Sequence, residues 1–380
     1  MIISISDPVQ STWIFSAIFL PLLLGFFSRI KNNEVFPVAT TQELKGLAIL
    51  MVIFSHVGYF LVSDHRFLFP LSVAAGVGVN LFLFLSGYGL ATSSQREPQT
   101  IGHFYRRRLI RLFLPVWIAL VIFFLLDFFV LHLSYGGQYI VRSFLGYFPS
   151  ADLYHDVNSP LWYFTIILFY YLIFPLVYNR RRPWLSALAI YLISYSIVWR
   201  SPAFFQNVMS LYNIHFAAFP LGIAFAWLLS NLSRRWLVPF VRLKEMLGKS
   251  IPRFISRISY YALFIFLLFI IAYTAYYSGV GQGMVKEQVS SLITMLAIIL
   301  LFLIKKFKLK ILVLFGTFSY EIYLLHWPLM YRYDIFFIYL PAWLAVILYL
   351  IMFLGLGWVL QRLTTLLLHK FTPKHQTGSK

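Results

Sequence analysis

Eleven apolar stretches follow one another along the chain, at 11–28, 44–62, 71–92, 112–133, 160–178, 184–199, 214–232, 258–277, 289–304, 311–330 and 341–366. Each is close to the roughly 20 residues that an α-helix needs to cross the hydrocarbon of a bilayer. A backbone in that hydrocarbon has no water to bond to, so such a stretch must close its own hydrogen bonds as a helix. The predicted fold is therefore all-α, a polytopic transmembrane helical bundle of about 11 spans. Composition agrees, since 61% of the 380 residues are apolar and 11% are charged, whereas a soluble domain keeps about a quarter of its residues charged.

The cations sort unevenly between the two sides. With the N terminus outside, 26 of the 31 Lys and Arg residues fall in links on one side, and Arg66, Arg142, Arg200, Lys286 and Arg332 on the other. Cytoplasmic links carry the excess of cations, so the expected orientation is N-out and C-in. The net charge of +19 is then a cytoplasmic collar facing anionic headgroups, and no nucleic acid is needed to explain it. Met1 to Thr12 carries none of the Lys or Arg that opens a secretory leader, so the first span, interrupted by Pro21, is expected to be a retained helix. Cysteine is absent, which excludes disulfides, thiolate metal sites and thiol nucleophiles. No spacing of His, Asp and Glu matches a metal motif, and no metal is expected.

Polar residues inside apolar spans are costly and are the first place to look for function. In the second span Lys45 and His56 are eleven residues apart, three helical turns plus about 20°, hence on one face and about 16 Å apart along the axis. A neutral imidazole there can accept a proton near neutral pH. The alternative is a histidine hydrogen-bonded between packed helices, with Lys45 a simple interfacial anchor. Arg106, Arg107, Arg108 and Arg111 enter the fourth span from the cytoplasmic side, and their i,i+3 and i,i+4 spacings let guanidinium groups converge on one polyanion. An ordinary positive-inside anchor has the same appearance.

The third span carries Gly76, Gly78, Asn80, Ser86, Gly87 and Gly89, a pattern that allows close approach of a helix or a ligand. In the tenth span Glu321 falls near the middle of the bilayer and His326 in its outer half, with Ser319, Tyr323 and His326 able to share one face while Glu321 points elsewhere. Asp127, His132, His155 and His215 fall near outer interfaces or loops, where surface roles are expected, and Asp152, His155 and Asp156 are placed to contact a substrate from outside. The turn Gly279-Val280-Gly281-Gln282-Gly283 follows no strand and is not a nucleotide fingerprint.

Taken in order, these motifs resemble the acyltransferase-3 family of integral-membrane O-acyltransferases. Lys45-x10-His56 is similar to its Arg/Lys-x10-His motif, Gly78 to Tyr88 to its glycine-to-Ser-Gly segment, Phe104 to Arg111 to its basic helix entry, and Phe318 to Pro328 to its late Ser-Tyr-x-x-Tyr-Leu-x-His element. Leu161 to Leu176 is similar to its mid-chain Trp segment. Asn80 stands where many members have Asp, and the fifth span lacks the Glu pair of a large branch.

The resemblance implies three parts: an extra amino-terminal helix and linker at 1–42, the family's membrane domain at 43–366 and a basic cytoplasmic tail at 367–380. It implies transfer of an acyl group, usually acetyl, from cytosolic acyl-CoA to a hydroxyl of a surface polysaccharide or lipid-linked sugar, in a bacterial plasma membrane. Lys45, Arg106, Arg107, Arg108 and Arg111 would bind the acetyl-CoA phosphates. His56 would act as general base or acyl relay, with Asn80, Ser86, Glu321 and His326 the other catalytic candidates. The alternative is an exporter of polysaccharide or a small molecule, which also uses intramembrane His, Glu and Arg.

Overall fold

The structure is a computed structural model that describes residues 2–29, 36–231 and 253–371. The all-α expectation holds, with a three-residue β-ribbon added. Two compact units share the chain. The larger comprises Ile2–Gln99 and Leu172–Thr317, the smaller Thr100–Tyr171 and Phe318–Lys380.

In the larger unit the chain forms α1 (Pro8–Gly25), β1 (Phe27–Arg29), α2 (Val38–Ser55), α3 (Ala75–Arg96), α7 (Pro183–Arg200), α8 (Met209–His215), α9 (Ala218–Asn231), α10 (Arg253–Tyr277), α11 (Met284–Ile304), β2 (Phe307–Leu309) and α12 (Lys310–Thr317). Pro8 and Pro183 open their helices at the first turn, where the missing N–H has no partner to lose. Helix α1 runs unbroken through Pro21. Helix α2 is apolar on nearly all sides from Gly46 onward and mostly buried, whereas α10 exposes Tyr261, Ile265, Phe266, Phe269 and Tyr273. Exposed apolar faces of this extent belong against lipid.

Glycines set how closely the central helices pack. A Cβ on Gly46 of α2 would overlap the Leu312 carbonyl of α12, and one on Gly316 would overlap the Gln42 carbonyl of α2. The same reciprocity joins Gly87 of α3 to the Phe219 carbonyl and Gly222 of α9 to the Phe84 carbonyl. Backbones that meet this way gain dispersion contact, the main source of helix association in lipid. Near the start of α2, Glu43 and Lys305 form a buried ion pair, and Leu309 N donates to the same Glu43 oxygen at 2.6 Å. Lys305, read from sequence as one more collar cation, is 5% exposed, and burial draws its ammonium below the usual lysine range against the opposing pull of Glu43.

The smaller unit holds α4 (Ile101–Phe129), α5 (Gly137–Phe144), most of α6 (Trp162–Val177), α13 (Ser319–Tyr331) and α14 (Ala342–Phe371). Helix α13 is buried along nearly its whole length. Pro328 has no N–H for the carbonyl of Leu324 one turn earlier, and the side chain of Asn158 supplies the missing donor at 2.8 Å. Tyr323 donates its hydroxyl to the Pro160 carbonyl at 2.5 Å, and Tyr320 to the Leu112 carbonyl at 2.6 Å. At the far end Arg332 pairs with Asp127, which also accepts from Tyr135 and Tyr333 at 2.5 Å each. Burial and the hydrogen bonds to Asp127 push the Tyr135 and Tyr333 phenols well above their ordinary range, so both stay donors at any physiological pH. Asp127 is thus fully buried, and its expected surface role is corrected.

Nine helices among the described residues are long and apolar enough to span a membrane. The other two expected spans are also helical, and they fall short for different reasons. The tenth breaks at Phe318 into α12 and α13, each shorter than a span, and the sixth, α7, dilutes its apolar residues with Pro183, three serines and Arg200. The ninth is longer than its hydropathy indicates, starting at Met284. The cation-rich link at 234–257 lies mostly outside the described residues, as do Lys31 and the tail beyond Phe371.

Candidate functional site

In the larger unit, α2 is an uninterrupted α-helix from Val38 to Ser55, so the eleven-residue spacing of Lys45 and His56 keeps its meaning. Both side chains are half-buried. At His56 the winding changes to a π-helical turn, His56–Leu61, packed where a Cβ on Gly58 would press on the Phe67 carbonyl at 2.6 Å. Single π-turns inside helices occur often at functional positions, because the wider turn re-aims side chains. The His56 ring meets Phe60 edge to face with centroids 5.6 Å apart.

Helix α3 lies against α2, with Gly78 facing Ala48, Met51 and Val52, the last one turn before His56. Asn80, fully buried, donates its amide N–H to Ser291 Oγ at 3.0 Å, and its carbonyl oxygen is 2.9 Å from His215 Nδ1. The direction of this chain is fixed. Ser291 gives its one hydroxyl proton to the Gln288 carbonyl at 3.0 Å, so it accepts from the Asn80 amide, and the Asn80 oxygen must then accept from His215. His215 therefore carries its proton on Nδ1. Far from a surface role, it is 3% exposed at the end of α8, where the chain turns before α9. Ser86, half-buried, lies six residues beyond Asn80 on a different side of α3.

In the smaller unit the arginines occupy the first turns of α4, a helix capped by Thr100 through the His103 N–H at 3.4 Å. Arg106, Arg107 and Arg111 are exposed and Arg108 half-buried, with the charges of Arg107 and Arg111 acting on Arg108. Four cations on one stretch of helix raise the local positive potential. His326 is fully buried, its Nδ1 2.8 Å from the Tyr323 carbonyl and 3.2 Å from that of Ile322. A carbonyl only accepts, so this ring too is protonated on Nδ1 and basic at Nε2. Glu321, also buried, lies along α13 where it faces Gly357 of α14, 3.8 Å from the point a Cβ there would occupy.

The sequence candidates thus divide between the units, Lys45, His56, Asn80 and Ser86 in one, the arginines, Glu321 and His326 in the other. Sequence reading missed the His215–Asn80 pair, the Ser291 link and the Arg332–Asp127 pair. The available signal was the presence of ionisable residues inside apolar spans, which names no partner.

Residues 44–362 match the acyltransferase domain that defines the acyltransferase-3 family. Comparison with curated proteins and with solved structures finds no match. The matched segment takes in Lys45, His56, Asn80, Ser86, the arginines of α4 and both polar residues of α13, and leaves α1 outside. A domain match over most of the sequence, on a chain whose described residues include nine membrane-length apolar helices, places this protein in the acyltransferase-3 family as a multi-pass membrane acyltransferase.

Proposed function

We propose that the protein transfers an acyl group, acetyl in the simplest case, from cytosolic acyl-CoA to a hydroxyl of a surface polysaccharide or lipid-linked sugar, in a bacterial plasma membrane with its N terminus outside and C terminus inside. The observation that carries the reading is the half-buried His56 at the end of an unbroken helix that holds Lys45 three turns earlier. A pantetheine arm is similar in length to that rise of about 16 Å. Lys45, Arg106, Arg107, Arg108 and Arg111 are the cations proposed for the donor's phosphates.

In the proposed reaction the His56 imidazole takes the acceptor hydroxyl proton as the oxygen attacks the thioester carbonyl. The carbon–sulfur bond then breaks, and the thiolate leaves with the proton that His56 returns. In the covalent variant the His56 nitrogen attacks the thioester, the carbon–sulfur bond breaks and CoA leaves as the thiol; the acceptor oxygen then attacks the acyl-imidazole, the carbon–nitrogen bond breaks and the hydroxyl proton passes to the freed ring. The tetrahedral oxyanion needs a donor, Asn80 or Ser86 in this scheme. One N–H of the Asn80 amide serves Ser291, which leaves its second N–H for the oxyanion. Glu321 and His326 keep secondary acid–base roles in the proposal.

The test is transfer of labelled acetyl from acetyl-CoA by protein reconstituted in vesicles. His56→Ala is expected to lower turnover at least about 100-fold, the usual scale for a lost general base. Full activity in that variant rejects both forms of the mechanism. Arg108→Gln with Arg111→Gln is expected to raise the apparent KM for acetyl-CoA more than it lowers kcat, and an unchanged KM rejects the phosphate role. An exporter would move glycan without consuming donor.

A further inference from the structure

The π-turn does more than aim His56. Rings continue outward from it in an unbroken series, His56 to Phe60 at 5.6 Å, Phe60 to Tyr59 at 5.4 Å, and Tyr59 stacked on His65 at 4.5 Å and 25°. None of these rings is fully buried, and His65 is exposed, although Val57, Gly58 and Leu61 of the same turn are buried. The series is therefore a surface feature that begins at His56, and the hydrophobic core does not absorb it.

Its rim is polar. Asp64 and Arg66 pair as a fork, with Nη2 to Oδ2 at 2.6 Å and Nε to Oδ1 at 3.0 Å, and the Arg66 side chain is 71% exposed. The glycine-rich turn faces this loop: the Tyr59 hydroxyl lies 3.5 Å from the Val280 carbonyl, and a Cβ on Gly279 would lie 3.3 Å from Val73. A second series, Tyr154 to Tyr331 to Trp327 in the smaller unit, leads from one exposed ring to a buried tyrosine and a buried indole.

We propose that Tyr59, Phe60 and His65, rimmed by Asp64 and Arg66, form the acceptor subsite, and that its ligand is a pyranose whose apolar C–H face stacks on the rings while a hydroxyl is presented to His56. Aromatic faces with a few fixed polar groups at their margin are the composition of a small-ligand site. The stacked rings supply apolar area with little rotamer freedom to lose, and the forked carboxylate and guanidinium offer both acceptors and donors to ring hydroxyls. The proposal rests on the reading of His56 as the acyl-transferring group.

Saturation-transfer NMR on the purified full-length protein, with the methyl pyranosides of glucose, galactose, mannose and N-acetylglucosamine as probes, tests it. Transfer to the C–H protons of at least one probe is expected in the wild type. Tyr59→Ala should weaken its binding at least about fivefold, the scale of one lost stacking partner, and Tyr59→Phe should keep it. His65→Ala, on an exposed ring, should weaken binding without disturbing the fold. His56→Ala should still give saturation transfer to the probe while losing acyl transfer, which separates a failure of the subsite from a failure of the catalytic reading. The subsite is overturned if no probe gives a signal, or if binding is unchanged in both Tyr59→Ala and His65→Ala.

Discussion

Replacing Asn158 by Ala should be costly only while residue 328 is proline. Pro328 leaves the Leu324 carbonyl without its helical partner, and Asn158, 4% exposed, donates to that carbonyl at 2.8 Å. Removing the amide strands a buried acceptor, which costs about 1–3 kcal/mol. Interhelical hydrogen bonds in membranes average about 0.6 kcal/mol because both partners find substitutes when separated. Here the helix offers no substitute, so the upper range applies, a change of about 5- to 150-fold in the unfolding equilibrium. In the Pro328→Ala background the restored N–H takes up the Leu324 carbonyl, and Asn158→Ala should then cost only a few tenths of a kcal/mol. Equilibrium unfolding of the four proteins in mixed detergent micelles closes the cycle. Equal costs of Asn158→Ala in the two backgrounds would refute the argument that proline creates the need for this side chain.

The other tests address packing and charge. Gly46→Val and Gly316→Val should each reduce the folded, detergent-stable yield sharply, because the new side chain meets a backbone carbonyl that cannot swing aside; Gly89→Val, where a Cβ meets nothing within 4 Å, is the control by gel filtration. Arg332→Met should destabilise the fold by about 3–5 kcal/mol by stranding the Asp127 carboxylate, whereas Asp127→Asn with Arg332→Met should recover much of that loss. Thermal unfolding of both variants decides it, and equal stability of the two would count against the pair.

Much of the candidate site was legible because its chemistry is local to single helices. Lys45 and His56, or Arg107 and Arg111, share a face by helical spacing alone, and any unbroken helix preserves that relation. Partners from distant helices were not legible. Asn80 meets His215 across 135 positions, and Arg332 meets Asp127 across 205. Asp127 and His215 read as surface residues because hydropathy places a residue at a depth without saying whether lipid, water or another helix lies beside it. The break at Phe318 escaped for a related reason: apolar content runs straight through it, and only backbone geometry marks the change.

By itself the amino-acid order determined that the chain is helical and lies in a membrane, because the cost of an unsatisfied backbone in hydrocarbon leaves apolar runs of that length one conformation. It also carried the ordered motifs of the acyltransferase-3 family. The tertiary structure alone decided which glycines meet, that Glu43 neutralises Lys305, that Asn158 completes α13, and that His56 opens a ladder of rings toward the surface. These depend on the rotation and height of each helix against its neighbours, which are set by the fit of many side chains at once.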